Sequence, residues 1–255
     1  MQDGQLRASD APQFVLRPGV IIPDWSCVSA KAARRALALI IRTSQRARSW
    51  SNLRAEDDLV WQAVFSEFVA GKPKLAATGI ARRASLAKDV VAAALGRLAA
   101  RDLIVLSHDG GSIAAAYPFS AADVGYRVRI GGRQVFALCA IDALGLGAMC
   151  RTASAIRATC RLCAAPIKAV TGGKGAALES FTPHGALVWC GIAQSGGCAA
   201  ESGCRIKTFF CQPAHLDAWR RNGGGAGKGV ALSMAEAHMV GCAIFAPMRQ
   251  PAHEA

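Results

Sequence analysis

The sequence is short of long apolar runs, of acidic residues and of nucleotide-binding signatures. Its longest early apolar run, Ala36 to Ile41, is far too short to cross a bilayer, which takes about 20 apolar residues in a helix. The first twenty residues carry Asp3, Arg7 and Asp10 and no continuous apolar stretch, so no secretory signal is visible. The expectation is a chain with no membrane segment, in a cytoplasmic, reducing compartment. A phosphate cradle is missing too: Gly227-Lys228 is followed by Gly229 and not Ser or Thr, and Asn222 stands where the earlier glycine belongs. Acids number 17 against 30 Lys and Arg, a formal net charge of +13. That balance raises nucleic acid, a membrane surface or an anionic ligand as partners and establishes none of them. Residues 1–55 hold nine Lys or Arg against three acids, so nearly half the excess belongs to one segment.

What is there is hydrophobic residue and cysteine. At 255 residues and 52% hydrophobic, the chain can bury a sizeable core. Ten cysteines in a secreted chain would suggest five disulfides. In a reducing compartment they are instead thiols available to soft metals.

Residues 1–54 read as a basic extension of unknown role, with one helix over Ser29 to Arg48 and the character of a solvated tail. From Glu56 the pattern changes. Glu56, Asp57 and Asp58 open a helix whose apolar positions Val60, Val64, Phe65 and Phe68 recur at helical spacing, and Gly71 and Pro73 stop it. A short helix over Leu75 to Arg83 follows. A third is capped by Ser85 and turns Val90, Val91, Ala94, Leu95 and Leu98 inward. Strands at Leu103 to Leu106 and Ser112 to Tyr117, joined through His108-Asp-Gly-Gly111, complete a winged-helix pattern over 55–118. Its third helix is a sparse reader of DNA: Lys88, Asp89, Arg97 and Arg101 stand among alanines, and base readout needs more donors than that.

The remaining span, 119–250, alternates hairpins and helices. Strands are expected at Tyr126 to Ile130, Gln134 to Leu138, Thr152 to Ala158, Lys168 to Thr171, Ala186 to Ile192 and Arg205 to Phe210. His215, Leu216 and Trp219 share a short helix, and the capping box Ser233-Met-Ala-Glu236 begins a final helix with Ala237, Val240 and Ile244 inward. The fold class is therefore α+β: an N-terminal winged-helix-like domain packed on a core of small antiparallel β-sheets flanked by helices.

Within this span one stretch carries chemistry. Cys139 and Asp142 lie three residues apart in apolar sequence, Val135 to Gly147. A carboxylate there is expensive unless it has a partner. At the start of a helix the two would share a face, and the helix N-terminus would favour thiolate over thiol. A core cysteine followed by a capping Asp is the plainer alternative. Cys160-x-x-Cys163 is half of a zinc knuckle; Cys198 and Cys204 could supply the other half, though five intervening residues is too wide. Cys27, Cys150, Cys190, Cys242 and Cys211 sit singly in apolar context and read as core.

Five features occur together and in order: Tyr117-Pro-Phe-Ser120; Cys139-Ala-Ile-Asp142-Ala-Leu144; Cys160 with Ala165-Pro-Ile167; Cys204 six positions before Phe210 of a Phe-Phe pair; and Leu232-Ser-x-x-Glu236-Ala. Over residues 55 to 246 the chain resembles the bacterial organomercurial lyases (alkylmercury lyases). The resemblance implies carbon–mercury bond cleavage by protonolysis, with Cys139 and Cys204 as mercury-binding thiolates, Asp142 as proton shuttle and Cys160 as a structural cysteine. It implies organomercurial small molecules as substrates, and no cofactor beyond external thiols. It further implies release of Hg(II) to thiols or a mercuric reductase, no nucleic-acid or membrane partner, and a monomer. The competing classes are a winged-helix DNA-binding regulator with a cysteine-based metal or thiol sensor, which predicts salt-dependent duplex binding, and a zinc-stabilised scaffold.

Overall fold

A computed structural model of the chain describes residues 12–42, 49–72, 75–107, 112–191, 204, 206–224 and 227–250. Strands β1 (Phe14–Arg17) and β2 (Val20–Ile22) form an antiparallel hairpin, followed by a 3-10 turn at Trp25–Cys27 and helix α1 (Lys31–Ile41). Helices α2 (Ala55–Val69), α3 (Ala77–Ala84) and α4 (Lys88–Ala100) come next, then strands β3 (Ile104–Leu106) and β4 (Ile113–Ala116). The second half begins with β5 (Phe119–Ser120), β6 (Arg127–Ile130) and β7 (Arg133–Ala137), which lead into helix α5 (Ala140–Cys150). Strands β8 (Ser154–Thr159), β9 (Pro166–Gly172), β10 (Ala177–Thr182), β11 (Leu187–Gly191) and β12 (Lys207–Phe210) follow. Helix α6 (Pro213–Arg221), strand β13 (Gly229–Ser233) and helix α7 (Met234–Phe245) end the order.

The fold is α+β with antiparallel sheets. Beside the two-stranded β1–β2 hairpin there is a three-stranded sheet, β12-β11-β13, and one of eight strands, β10-β9-β8-β6-β7-β5-β4-β3. The separate small hairpins expected from local pattern are thus largely joined into one long sheet. Its continuity runs through residue 118, because β5 pairs with β4 on one side (Ala115↔Ser120) and with β7 on the other (Phe119↔Ala137).

Several element ends differ from the expected ones for clear reasons. Ser85 does not cap α4. Its φ of 54° is left-handed and it terminates α3, accepting the chain's turn with its backbone N–H bonded to Arg82 O, while Ala87 precedes α4 with no side-chain cap. The turn at 108–111 lies outside the described residues. The capping box at Ser233 forms as expected, with Ser233 Oγ accepting from Glu236 N and Glu236 Oε2 accepting from Ser233 N.

The larger correction concerns the first fifty residues. The described part of this segment is core, not a solvated tail: Leu16, Ile22, Ala33, Ala36, Leu37 and Trp50 are fully buried. Trp50 stacks on Tyr117, and Tyr117 packs on Phe245 of α7, so three distant parts of the chain share one aromatic contact line. Arg17 is buried and ion-paired to Asp58 at 3.0 Å, and also donates to the carbonyls of Met248 and Pro247. Asp58 in turn accepts from Gln62 and Gln250. A buried charge survives only with such partners, and here they come from β1, α2 and the end of the chain. The helix expected over Ser29 to Arg48 is present as α1, Lys31–Ile41, but it is amphipathic and docked: it turns Lys31 and Arg35 to solvent and its aliphatic face onto α7 and β13.

Candidate active site

Helix α5 is buried along its whole described length from Ala140 to Met149, lying against α7 and against strands of both the eight-stranded and three-stranded sheets. It can approach α7 closely because both helices offer glycine at the crossing. A Cβ on Gly145 would stand 2.7 Å from Gly241 O, and one on Gly241 would stand 2.8 Å from Gly145 N. Hairpin β6–β7 delivers the chain to the start of α5, as its alternating pattern predicted. Cys139 is the N-cap, and Asp142 is the third residue of the helix.

Across from the helix start lies Cys204. A turn closed by Lys207 N donating to Cys204 O leads from it into β12, which is held by pairing with β11. The ligand atoms of Cys139, Asp142 and Cys204 all lie within 4.8 Å of one another. Cys204 Sγ is 3.5 Å from Asp142 Oδ2. The three residues are 0%, 1% and 2% exposed. Sequence separation of sixty-two residues between Asp142 and Cys204 is closed by the packing of α5 on β12.

Electrostatics in this pocket are set first by dryness. Burial pushes the Cys139 thiol well above its ordinary value, and its bond to Cys204 and the charge of Asp142 push the same way, against Lys207. Burial likewise raises the Asp142 carboxyl well above the usual carboxylate range; Cys204 adds to this, while the hydrogen bond from Cys139 and the charge of Lys207 oppose it. The helix N-terminus favours anions by about 0.3–1 kcal/mol, up to about 2 in partly buried sites, whereas desolvating an ion costs several kcal/mol. Burial therefore outweighs the helix end, and the thiolate expected from the helix position alone is disfavoured at Cys139.

Two residues at this site carried no signal in local sequence. Lys207, buried on β12, is the cation whose charge lowers the proton affinity of both Cys139 and Asp142. Tyr126 reaches from the start of β6 to β12, with its hydroxyl 3.1 Å from Thr208 Oγ1 and 3.4 Å from Lys207 O. Burial raises that phenol to about 12, so it stays a neutral donor. Only a strand reading that asked where a lone lysine among Thr-Phe-Phe points could have found the first.

The other cysteines divide. Cys190 and Cys242 are buried, as read, while Cys27 and Cys150 are half-buried. The nine cysteines among the described residues are free thiols. The zinc pairing of Cys160-x-x-Cys163 with Cys198 and Cys204 does not form: Cys204 belongs with Cys139, and Cys198 lies outside the described residues. Cys160 and Cys163 instead meet Cys211 and His215. Burial would raise the Cys160 thiol, but backbone N–H groups of Cys163 and Cys211, the His215 ring and the Leu162 N–H outweigh it and bring it down to about 6. Cys211, read as core, is one of this group.

Half of the polar face of α4 is engaged within the molecule. Arg97 bonds Asp57 through Nε and an amino group at 2.9 and 2.7 Å, and Arg101 donates to Ser51 O at 2.7 Å. Two of the four groups expected to face a duplex are thus engaged with α2 and the segment before it. No helix among the described residues is long and apolar enough to cross a membrane.

Two thiols and a carboxyl converging in buried surroundings, on an α+β fold, define a thiol site with the ligand chemistry of a soft metal ion. The fold is similar to that of the solved "mercury-bound form of MerB2", with a TM-score of 0.67 and 19% identity, over 86% of this chain and 100% of that one. No curated protein sequence matches the chain. The sequence profile of the MerB family, alkylmercury lyase, matches residues 119–246, half of its length, and the chain belongs to that family.

Proposed function

We propose that this protein is an organomercurial lyase that cleaves the carbon–mercury bond by protonolysis, with Cys139, Cys204 and Asp142 as its reacting groups. The observation that carries the reading is the convergence of those three buried side chains, their ligand atoms within 4.8 Å of one another. A carbon–mercury bond breaks when a soft anion holds mercury while a proton reaches the departing carbon. Asp142 assists loss of the Cys139 proton as that sulfur takes R–Hg from its incoming ligand X. Cys204 then bonds the same mercury, and its proton passes through Asp142, 3.5 Å away, to carbon. The balance is R–Hg–X plus two thiols giving R–H, mercury held by two cysteine sulfurs, and HX.

The raised proton affinities suit this order. A Cys139 thiol that ionises reluctantly lets an uncharged organomercurial enter without a thiolate stranded in low dielectric. It surrenders its proton only as mercury displaces it, and that is when carbon needs one. Lys207 limits the cost of the transient anion. External thiols would then carry the product Hg(II) away, to free thiols or a mercuric reductase, with no cofactor in the chemical step. Residues 55–118, three helices followed by the β3–β4 hairpin, we read as a winged-helix-like part kept for packing, since Arg97 and Arg101 of its third helix bond within the protein. We place the protein in the cytoplasm and read it as a monomer.

The test is Hg(II) release from methylmercury or phenylmercury under excess thiol, with purified Asp142→Ala and Cys204→Ala proteins beside the native one. Near-native rates in either variant sink the mechanism.

A further inference from the structure

A second cysteine cluster lies outside the lyase site, and the mechanism makes no use of it. Cys160, Cys163, Cys211 and His215 bring three sulfurs and an imidazole nitrogen within 4.8 Å of one another. Cys163 Sγ is 3.7 Å from Cys211 Sγ, and His215 Nδ1 is 3.6 Å from Cys160 Sγ and 3.1 Å from Cys211 Sγ. Zinc binds sulfur at about 2.3 Å and imidazole nitrogen at about 2.0–2.1 Å in a tetrahedron, so neighbouring sulfurs should stand about 3.8 Å apart and sulfur and nitrogen about 3.6 Å. Two of these three distances match such edges, the Cys211–His215 one is about 0.5 Å shorter, and all four ligand atoms lie within the 4.8 Å that one ion can bridge.

The way the chain presents these atoms points the same way. Cys160-x-x-Cys163 occupies the turn between β8 and β9, where Ala164 adopts a φ of 59° and its N–H bonds Cys160 O at 2.9 Å. Backbone N–H groups of Leu162, Cys163 and Cys211 are directed at Cys160 Sγ, as befits a sulfur that must carry negative charge. Cys211 directly follows β12, and His215 lies in the first turn of α6 behind Pro213. The ligand pattern is therefore C-x2-C from a hairpin turn and C-x3-H from a helix start. Among the described residues the group is three thiols and one imidazole with no carboxylate, the ligand set of a closed structural zinc site.

The position gives such an ion work to do. β8 and β9 belong to the eight-stranded sheet, β12 to the three-stranded one. Near the cluster the two are tied by a backbone bond from Arg161 N to Phe209 O at 2.9 Å. Helix α6 buries only Leu216 fully, so apolar packing alone holds it weakly. We infer that Cys160, Cys163, Cys211 and His215 bind one structural Zn(II), which staples the β8–β9 turn to the end of β12 and the start of α6. Because β12 also carries the turn from Cys204, the ion steadies one wall of the lyase pocket without touching the reaction. Binding releases the remaining thiol protons to solvent.

The experiment reads metal, not turnover, so it stands apart from the lyase reading. The full chain is purified under reducing conditions and its metals are quantified by mass spectrometry. About one zinc per chain is expected in the native protein and in a Cys139→Ser/Cys204→Ser double variant, and less than about a tenth of that in Cys163→Ser and His215→Ala. Should those last two fail to fold, cobalt replacement in the double variant decides: intense visible bands and thiolate charge transfer of tetrahedral Co(II) are expected. Chelation should lower the melting temperature by more than about 5 °C. Zinc-free native protein that gives no tetrahedral cobalt spectrum overturns the proposal. So does another metal in zinc's place, or zinc that follows Cys139 and Cys204.

Discussion

The two cysteine clusters of this molecule use similar side chains to opposite ends. In the first, Cys139 and Cys204 meet a carboxyl, all three side chains nine-tenths buried or more, and burial raises the proton affinity of both Cys139 and Asp142. In the second, Cys160, Cys163, Cys211 and His215 gather at a partly exposed rim, and backbone N–H groups favour the Cys160 thiolate before any ion arrives. Two sulfurs leave a bound metal coordinatively open and keep protons next to it. Four ligands saturate a metal and keep nothing in reserve. Reactivity in such a site comes from what is withheld: a full ligand set and water.

The sharpest way to break the comparison is to exchange sulfur for oxygen in each cluster. Cys139→Ser or Cys204→Ser should reduce Hg(II) release from phenylmercury by at least about a thousandfold, because an alcohol is a poor ligand for a soft ion. Cys163→Ser should lower zinc content and melting temperature while leaving much of the initial rate. Comparable rate losses in both clusters would dissolve the distinction.

Next comes the proton. Asp142→Asn should lower kcat about 10²–10⁴-fold, the usual range for a positioned acid or base. The same variant tests the dryness of the first cluster through stability. Asp142 has a raised carboxyl affinity in the fold, so native stability is fully present below the ordinary carboxylate value of 3.8 and is lost as pH rises through the folded value. Asparagine cannot ionise, so the melting temperature of the variant should gain on that of the native protein as pH rises above the ordinary carboxylate value of 3.8. A difference that stays flat with pH would mean Asp142 is already solvated.

Scaffold changes should matter less. Gly145→Ala forces a methyl against Gly241 O and the Phe245 ring, and overpacking of this kind costs about 1–3 kcal/mol in denaturant titrations. Since α5 carries Cys139 and Asp142, the rate should fall with it, while zinc content should not. Smallest is Tyr126→Phe, which removes the hydroxyl between β6 and Thr208. About 0.5–1.5 kcal/mol of stability is expected to go, with little change in metal content.

Local sequence announced the elements that have local causes. The Ser233 capping box, the acid-rich start of α2, the β6–β7 alternation ending at Cys139 and the Cys139–Asp142 spacing were all legible, and the ordered motifs carried Cys204. Elements whose cause is distant were not. Strand β10 has no buried residue among Ala177–Thr182 and exists by pairing with β9, and β13 emerges from a glycine-rich loop to pair with β11. Cys211 looked like core because its ligand partners lie some fifty residues earlier and four residues later, although the C-x3-H spacing was there to be read. The basic first segment looked solvated because nothing local told that Arg17 has Asp58 to pair with.

By itself, then, the sequence determined which residues could do chemistry, where helices begin, and the family to which the chain belongs. Only the tertiary structure decided which cysteine serves which cluster. Sulfur is ambiguous in sequence, since a buried thiol, a thiolate ligand and a nucleophile are written alike; burial and the third neighbour separate them. For Cys204 that neighbour is Asp142 in a dry pocket; for Cys160 it is a backbone amide and a histidine at the rim.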